Sequence, residues 1–302
     1  PIILTAGNHD SGQRLSFGSA FMERQGLFIG GMVRHPVQKV ALSDQFGPVD
    51  FYLLPWFDQY TVRPLFPDQR PQSCGEAFRL LMEPVLEEWE PGRRRVLLGH
   101  GFFAGRSAQA EDGGKTAGGE ELVSLAGMEN FDYIALGHIH GARCAGLPQA
   151  WYSGSPLKYS VDEQHQNKGF LVVDLPQSGP VSVEQRPIVP LREVRSVTGS
   201  FLEVMDRTGQ DPAGAEDYIM VTLTDPEPVP DIMARLKSVY PHVLGVQFPQ
   251  FASRMQKEGA KGPNLEEQSM EELFSDFYEQ AAGLPMTGRQ QQIMDRLCRE
   301  YQ

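Results

Sequence analysis

Three times in this chain a short apolar run stops at glycine and histidine, and that recurrence constrains the fold more than any bulk property. Ile2-Ile3-Leu4 leads into Gly7-Asn8-His9-Asp10, Val96-Leu97-Leu98 into Gly99-His100-Gly101, and Tyr133-Ile134-Ala135-Leu136 into Gly137-His138-Ile139-His140. Short apolar runs punctuated by glycine predict buried strands that end in loops. In open α/β sheets, the loops at strand ends are where ligands bind. Four of the seven histidines, together with Asn8, therefore stand where strands stop.

The surrounding pattern predicts an α/β domain over 1–176. Strands are expected at 1–6, 26–31, 37–42, 49–54, 94–99, 132–137, 149–154 and 169–174, and helices at 16–24, 73–90 and 119–127. The clearest helix runs from Glu76 to Trp89, with apolar residues at helical spacing and Pro91-Gly92 beyond its end. Arg106 to Glu121 has no periodicity and is expected to be a flexible loop, either plain surface or a gate over the site. The short basic run Arg93-Arg94-Arg95 is expected to be solvated at a helix end rather than to form a DNA patch.

A smaller α+β capping domain is expected over 177–249, read as strand 181–189, helix 199–207, strand 218–223, helix 230–240 and strand 243–248. The rest, 250–302, reads as a polar linker (Gln250 to Glu267) and two amphipathic helices broken at Gly283-Leu284-Pro285. Leu273, Phe274, Phe277 and Tyr278 form one apolar stripe, and Ile293, Met294 and Leu297 another. Two such helices cannot make a core alone, so their stripes are expected to dock on this chain or on a partner.

Composition narrows the function classes. With 27 Lys and Arg against 39 Asp and Glu, the net charge is −12. Affinity for nucleic acid comes mainly from basic side chains on phosphates, so such a chain needs metal ions, a local patch or a partner to hold DNA. No apolar stretch approaches the ~20 residues that span a membrane. Three widely spaced cysteines (Cys74, Cys144, Cys298) do not make a disulfide framework, and a reducing cytoplasm is expected.

The histidine strings suit metal chemistry. On an extended segment alternate residues point the same way, so His138 and His140 are expected to face one pocket. Neutral imidazole is a common transition-metal ligand. Asn8 reads either as a turn residue or as a ligand through its amide oxygen. His9 reads as a neutral acid beside the metals or as a partner of Asp10.

In this order, Gly7-Asn8-His9-Asp10, Gly99-His100 and Gly137-His138-Ile139-His140 resemble the later motifs of the calcineurin-like metallophosphoesterases. The likeness is closer to the SbcD nuclease subunits. It is carried by His9-Asp10-Ser11 with Arg14-Leu15-Ser16-Phe17-Gly18-Ser19, by Leu54-Pro55-Trp56-Phe57, by the run from Phe131 to Gly141, and most specifically by Tyr152-Ser153-Gly154-Ser155-Pro156-Leu157-Lys158-Tyr159-Ser160.

The resemblance implies a metallophosphoesterase β-sandwich flanked by helices and two divalent ions, Mn²⁺ preferred with Mg²⁺ an option. Asn8, His100 and His138 would ligate one ion and His140 the other. His9 would contact the scissile phosphate and assist the leaving group. Asp10, Arg14, Tyr152, Ser153, Ser155 and Lys158 would lie near the substrate. The implied activity is Mn²⁺-dependent hydrolysis of DNA, as a 3′–5′ double-strand exonuclease and a single-strand or hairpin endonuclease. An SbcC-like SMC-family ATPase would gate it and receive the C-terminal helices, within a heterotetramer containing a homodimer of this subunit, in nucleoid-associated DNA repair, recombination and replication. Members also carry Asp-x-His and Gly-Asp-x-x-Asp strings ahead of these motifs, and neither occurs here. The second metal site is therefore expected to be incomplete and the chain on its own inactive or nearly so. A metallophosphatase acting on small substrates and a non-catalytic scaffold for DNA and ATPase are the alternatives.

Overall fold

The computed structural model describes residues 1–88, 90–105, 121–206, 214–226, 229–249, 270–282 and 285–300. The loop expected over 106–121, save Glu121, and the linker expected over 250–267 lie outside the described residues. The chain divides into two compact units, Pro1–Val194 and Arg195–Gln302.

The first unit opens with β1 (Ile2–Thr5), α1 (Gly12–Ser16), α2 (Ser19–Glu23) and β2 (Leu27–Gly30), the two strands pairing in parallel as a small sheet. The single helix predicted over 16–24 is two short ones, because Gly18 between them takes a left-handed φ of 75°. Next come β3 (Gln38–Asp44), β4 (Gly47–Leu54), α3 (Gln59–Val62) and α4 (Cys74–Glu87). They are followed by β5 (Arg94–His100), β6 (Phe103–Ala104), β7 (Val123–Ser124), β8 (Tyr133–Gly137), β9 (Arg143–Cys144) and β10 (Ala150–Tyr152). The unit closes with the antiparallel hairpin β11 (Gly169–Asp174) and β12 (Ser182–Pro187).

The protein is mixed α/β around a central six-stranded sheet in the order β3-β4-β5-β8-β10-β9. Its middle is parallel, with β4, β5, β8 and β10 running together, and β3 and β9 are antiparallel edges. Successive side chains on a strand point to opposite faces, and here both faces are apolar. Tyr52, Leu54, Leu97, Ile134, Leu136 and Tyr152 join a core with Phe78, Leu81 and Met82 of α4. The alternate residues Val49, Phe51, Val96, Leu98, Tyr133 and Trp151 pack with Val173 and Val183 of the β11–β12 hairpin. A strand buried on both faces reads as a continuous apolar run, which is why these strands are legible in the sequence.

Residues 177–194 differ from the sequence expectation. The sequence pattern groups them with the capping domain, but β12 pairs with β11 along its whole length and lies in the first unit. The helix predicted over 119–127 is also absent from its described part: Val123 and Ser124 pair in parallel with Phe103 and Ala104.

Arg93-Arg94-Arg95 is not a solvated run. Arg94 and Arg95 are only 4% and 2% exposed. Arg94 pairs with Asp44 and donates to the Leu175 carbonyl at 3.0 Å. Arg95 donates to the Val85 carbonyl and lies over the Phe131 ring at 4.9 Å. Arg93 clasps the buried Asp50 of β4, with Nε donating to Oδ2 at 2.7 Å. These cations hold the sheet together and are not offered to a polyanion.

The second unit contains β13 (Val194–Gly199), α5 (Phe201–Met205), β14 (Tyr218–Leu223), α6 (Ile232–Lys237) and β15 (Val243–Gln247). The strands form one sheet in that order, β14 and β15 in parallel. Its core comprises Val197, Phe201, Val204, Ile219, Val221, Leu223, Leu236 and Tyr240. Ser200 and Glu203 make a reciprocal capping box at the start of α5. The tail forms α7 (Met270–Ala282) and α8 (Gly288–Glu300), joined by a 2.8 Å hydrogen bond from Gln290 to the Tyr278 hydroxyl. Phe274, Phe277, Ile293 and Leu297 are exposed on them. Among the described residues no helix is long and apolar enough to cross a membrane.

The hydrogen bonds of Arg93 hold the Asp50 carboxyl below its ordinary value against the opposing effect of burial. A depressed carboxyl contributes stability above its unfolded value, and that contribution is lost as pH falls through the folded one. We expect Asp50→Asn to lower stability by about 1–3 kcal/mol at neutral pH. Thermal melts should show that the difference from wild type shrinks below about pH 4; a pH-independent difference would contradict this role.

Candidate metal centre

The histidine strings converge because the strands that carry them share a direction. β5 and β8 pair in parallel with His100 opposite Gly137, so their C-terminal ends coincide. β1 joins from its own small sheet: the Trp56 amide donates to the Ala6 carbonyl at 2.9 Å, tying the end of β1 to the loop after β4.

The Gly7–Asp10 turn is closed twice. The Asp10 amide donates to the Gly7 carbonyl at 3.1 Å, and the Gly7 amide donates to Asp10 Oδ2 at 2.8 Å. Asp10 thus commits one carboxylate oxygen to shaping the turn that carries Asn8 and His9. Asn8 Oδ1 lies 3.0 Å from His100 Nε2. The His100 and His138 ring centroids are 5.5 Å apart at 75°. Glycine permits this closeness: a Cβ on Gly7 would lie 2.6 Å from His100 Cε1, and one on Gly137 would lie 2.9 Å from His100 Nδ1.

His138 itself adopts φ 107°, a conformation costly for a residue with a Cβ. The backbone between His138 and His140 is therefore not a simple extended segment. His138 lies against His100, whereas His140 Nδ1 is 2.7 Å from Glu163 Oε1, and its ring sits 5.5 Å from that of Tyr159. The structure therefore brings Asn8, His100 and His138 together and sets His140 against Glu163 and Tyr159. His9 is exposed beside Asn8 on the turn.

The remaining expected residues divide by burial. Arg14 is exposed in α1, and Ser153 is exposed after β10. Lys158 pairs with Glu193 at 2.5 Å. Tyr152 is corrected: it is 1% exposed, and its hydroxyl accepts from the Phe103 amide at 2.6 Å and lies 3.1 and 3.0 Å from the Gly101 and Phe103 carbonyls. It braces the loop after His100 from inside. Ser155 is corrected too. It is buried, its amide donates to the His140 carbonyl at 3.0 Å, and its hydroxyl donates to the Leu157 carbonyl at 2.7 Å.

Sequence reasoning missed Glu163 and Lys168, both buried, with Lys168 Nζ 2.6 Å from Glu163 Oε2. Burial pushes the Glu163 carboxyl up, but hydrogen bonds from Lys168, His140 and the Tyr159 amide outweigh it and hold it at about 2. Their only signal in the sequence is two charges in a polar stretch without periodicity.

A cavity of about 240 Å³ opens beside His100 and His138, lined also by Trp56, Asp58, Cys74 and Glu121. Both carboxylates there are engaged: Glu121 accepts from the Cys74 amide at 2.9 Å at the start of α4, and Asp58 accepts from the Thr61 amide at 2.7 Å. Burial, reinforced by Glu121, pushes the Cys74 thiol up to about 11, which makes it a poor thiolate donor.

Among the described residues no three His, Cys, Asp or Glu form a metal-holding group. The donors that do come together, one amide oxygen and two imidazoles, are neutral. Such a set fits one side of a divalent centre, and His140, with Nδ1 engaged, has Nε2 for an ion. A complete pair of hard ions calls for carboxylates beyond these four side chains.

A family profile described as the type 5 capsule protein repressor C-terminal domain (SbcD_C) matches residues 189–282. The SbcD component of the nuclease SbcCD from Staphylococcus epidermidis is 27% identical over 278 residues, covering 92% of this chain and 72% of that protein. The corresponding protein of Staphylococcus saprophyticus is 25% identical over 299 residues, covering 98% and 77%. Over most of its length the chain is similar to SbcD proteins. The profile spans the sheet of the second unit from β13 onward and reaches through α7, so the SbcD likeness extends beyond the histidine-bearing unit.

If Gly7 is glycine to admit the His100 ring, Gly7→Ala should destabilise by about 1–3 kcal/mol. The same substitution in a His100→Ala background should be close to neutral. Denaturant melts of the four proteins measure the coupling, and equal costs in both backgrounds would remove this explanation of Gly7.

Proposed function

We propose that this chain is the nuclease subunit of an SbcCD-like complex and hydrolyses DNA phosphodiesters with the help of divalent ions, Mn²⁺ foremost. The observation that carries the reading is the grouping of Asn8, His100 and His138 at coincident strand ends, in a chain alike over most of its length to proteins named as components of the SbcCD nuclease. Asn8, His100 and His138 would hold one ion and His140 the other. Such ions supply Lewis acidity and a nucleophile at neutral pH.

The chain's own residues do the rest. Asp10 fixes the turn, so Asn8 and His9 project together. His9, exposed beside Asn8, would give a proton to the leaving oxygen of the DNA strand. Tyr152 holds the Gly101–Phe103 loop, and through it the end of β5, in place. Arg14, Ser153 and Lys158 belong to the surface over which the strand passes. The capping unit and the metallophosphoesterase sandwich are part of the same proposal, as is a cytoplasmic, nucleoid-associated location.

The net charge of −12 bears on partners. With Arg94 and Arg95 buried, DNA must be held mainly by ions and by a partner surface. We assign that surface to an SbcC-like ATPase, with the α7 and α8 stripes (Leu273, Phe274, Phe277, Tyr278, Ile293, Met294, Leu297) docking on it and a homodimer of this subunit inside the assembly. ATP turnover in the partner would gate 3′–5′ exonuclease and hairpin endonuclease action during repair and recombination.

A second reading, a non-catalytic scaffold for DNA and ATPase, is favoured by one observation: among the described residues no three His, Cys, Asp or Glu form a metal-holding group.

Purified with its ATPase from native cells, the protein should degrade blunt duplex DNA with Mn²⁺ and lose that activity in EDTA. His138→Ala should lower the rate by at least about 100-fold, on the order of 3 kcal/mol of barrier. Absence of cleavage would favour the scaffold, metal-independent cleavage would refute the role given to the ions, and preference for a small phosphate ester would point to a phosphatase. Deleting 264–302 should abolish co-purification with the ATPase, and undiminished association would refute the docking assignment.

A further inference from the structure

We propose that Glu163 is the positioning residue of His140, holding the imidazole proton on Nδ1 so that Nε2 presents its lone pair to a divalent ion; this rests on the reading of His140 as a metal ligand given above. The two carboxylate oxygens have separate tasks. Oε1 lies 2.7 Å from His140 Nδ1, while Oε2 lies 2.6 Å from Lys168 Nζ and accepts from the Tyr159 amide at 3.2 Å.

Glu163 and Lys168 are 6% and 7% exposed, so the pair is held away from competing water. Lys168 also reaches back to the same histidine. Its Nζ is 2.8 Å from the His140 carbonyl, 2.8 Å from Ser155 Oγ and 2.8 Å from Gln166 Oε1. One ion pair therefore grips His140 twice, at the ring through Glu163 and at the main chain through Lys168.

Gly154 completes the grip. It takes φ 75°, and a Cβ there would lie 2.9 Å from the His140 carbonyl oxygen. About half of the His140 side chain stays exposed, with the Nδ1 edge engaged inside. A carboxylate that accepts Nδ1–H fixes the tautomer and raises the basicity of the opposite nitrogen, the usual arrangement behind a metal-bound histidine. A buried ion pair adds little net stability compared with apolar side chains of the same shape. Its chemical effect here is orientation.

The test uses the full chain with labelled histidine. Nitrogen NMR of the metal-free protein should show the His140 proton on Nδ1, retained in Glu163→Gln, whose amide oxygen still accepts it, and shifted toward Nε2 in Glu163→Ala. Traces of Mn²⁺ should broaden the His140 ring signals in wild type, with about 10–100-fold more Mn²⁺ needed in Glu163→Ala and an intermediate amount in the fold-preserving Glu163→Gln. A wild-type proton on Nε2 overturns the proposal, as does an unchanged Mn²⁺ response in both variants. A lowered melting temperature with the tautomer unmoved makes Glu163 merely structural and likewise overturns it. If Mn²⁺ does not broaden His140 in wild type, the ligand reading fails and the metal role of Glu163 falls with it. The tautomer data then show separately whether the hold on the ring exists.

Discussion

Parallel pairing of β4, β5, β8 and β10 is the constraint on which the rest of the first unit depends. Parallel strands end at the same edge of the sheet, so residues at their C-terminal ends meet without any other device. His100 lies opposite Gly137 in that register, and His138 follows one residue later. A slip of one residue would turn His100 to the other face and bury Val96 and Leu98 where Leu97 belongs. The apolar pattern on both faces thus fixes the register, and the register fixes the histidines.

The opposite end of the sheet solves a different problem. Arg94 and Arg95 enter β5 as buried cations, answered by Asp44, by main-chain carbonyls and by aromatic faces. Arg93 answers the buried Asp50 on the neighbouring strand. Buried arginines are therefore answered at the start of the strands, and Asn8, His100 and His138 are grouped at the other end. The basic run resembles a surface feature because sequence shows charge and not the depth at which a strand starts.

What is legible in the sequence follows the same physics. Strands buried on both faces, such as 49–54, 94–99 and 132–137, announce themselves as apolar runs, and α4 announces itself by period and by Pro91-Gly92 beyond its end. Leu122-Val123-Ser124-Leu125 reads as helix because its pairing partner, Phe103-Ala104, is remote in sequence. β13 escapes the pattern for a related reason, being short and only partly buried. In the candidate centre the histidines and Asn8 are visible as strings. The positive φ at His138, the inward turn of Tyr152 and the Glu163–Lys168 pair are not, since each depends on a backbone bend or a contact made across the fold.

The Tyr152 hydroxyl carries a consequence for how this protein fails under heat. It links β10, next to the edge strand β9, to the loop that follows His100. Edges of sheets open locally at lower free energy than their centres, in cooperative segments that exchange amide hydrogens early. Fraying of β9 and β10 would release that loop while β4, β5 and β8 remain paired. The candidate centre should then lose its geometry before the molecule unfolds, so loss of function on warming would mark the softening of one margin of the sheet rather than the melting of its core.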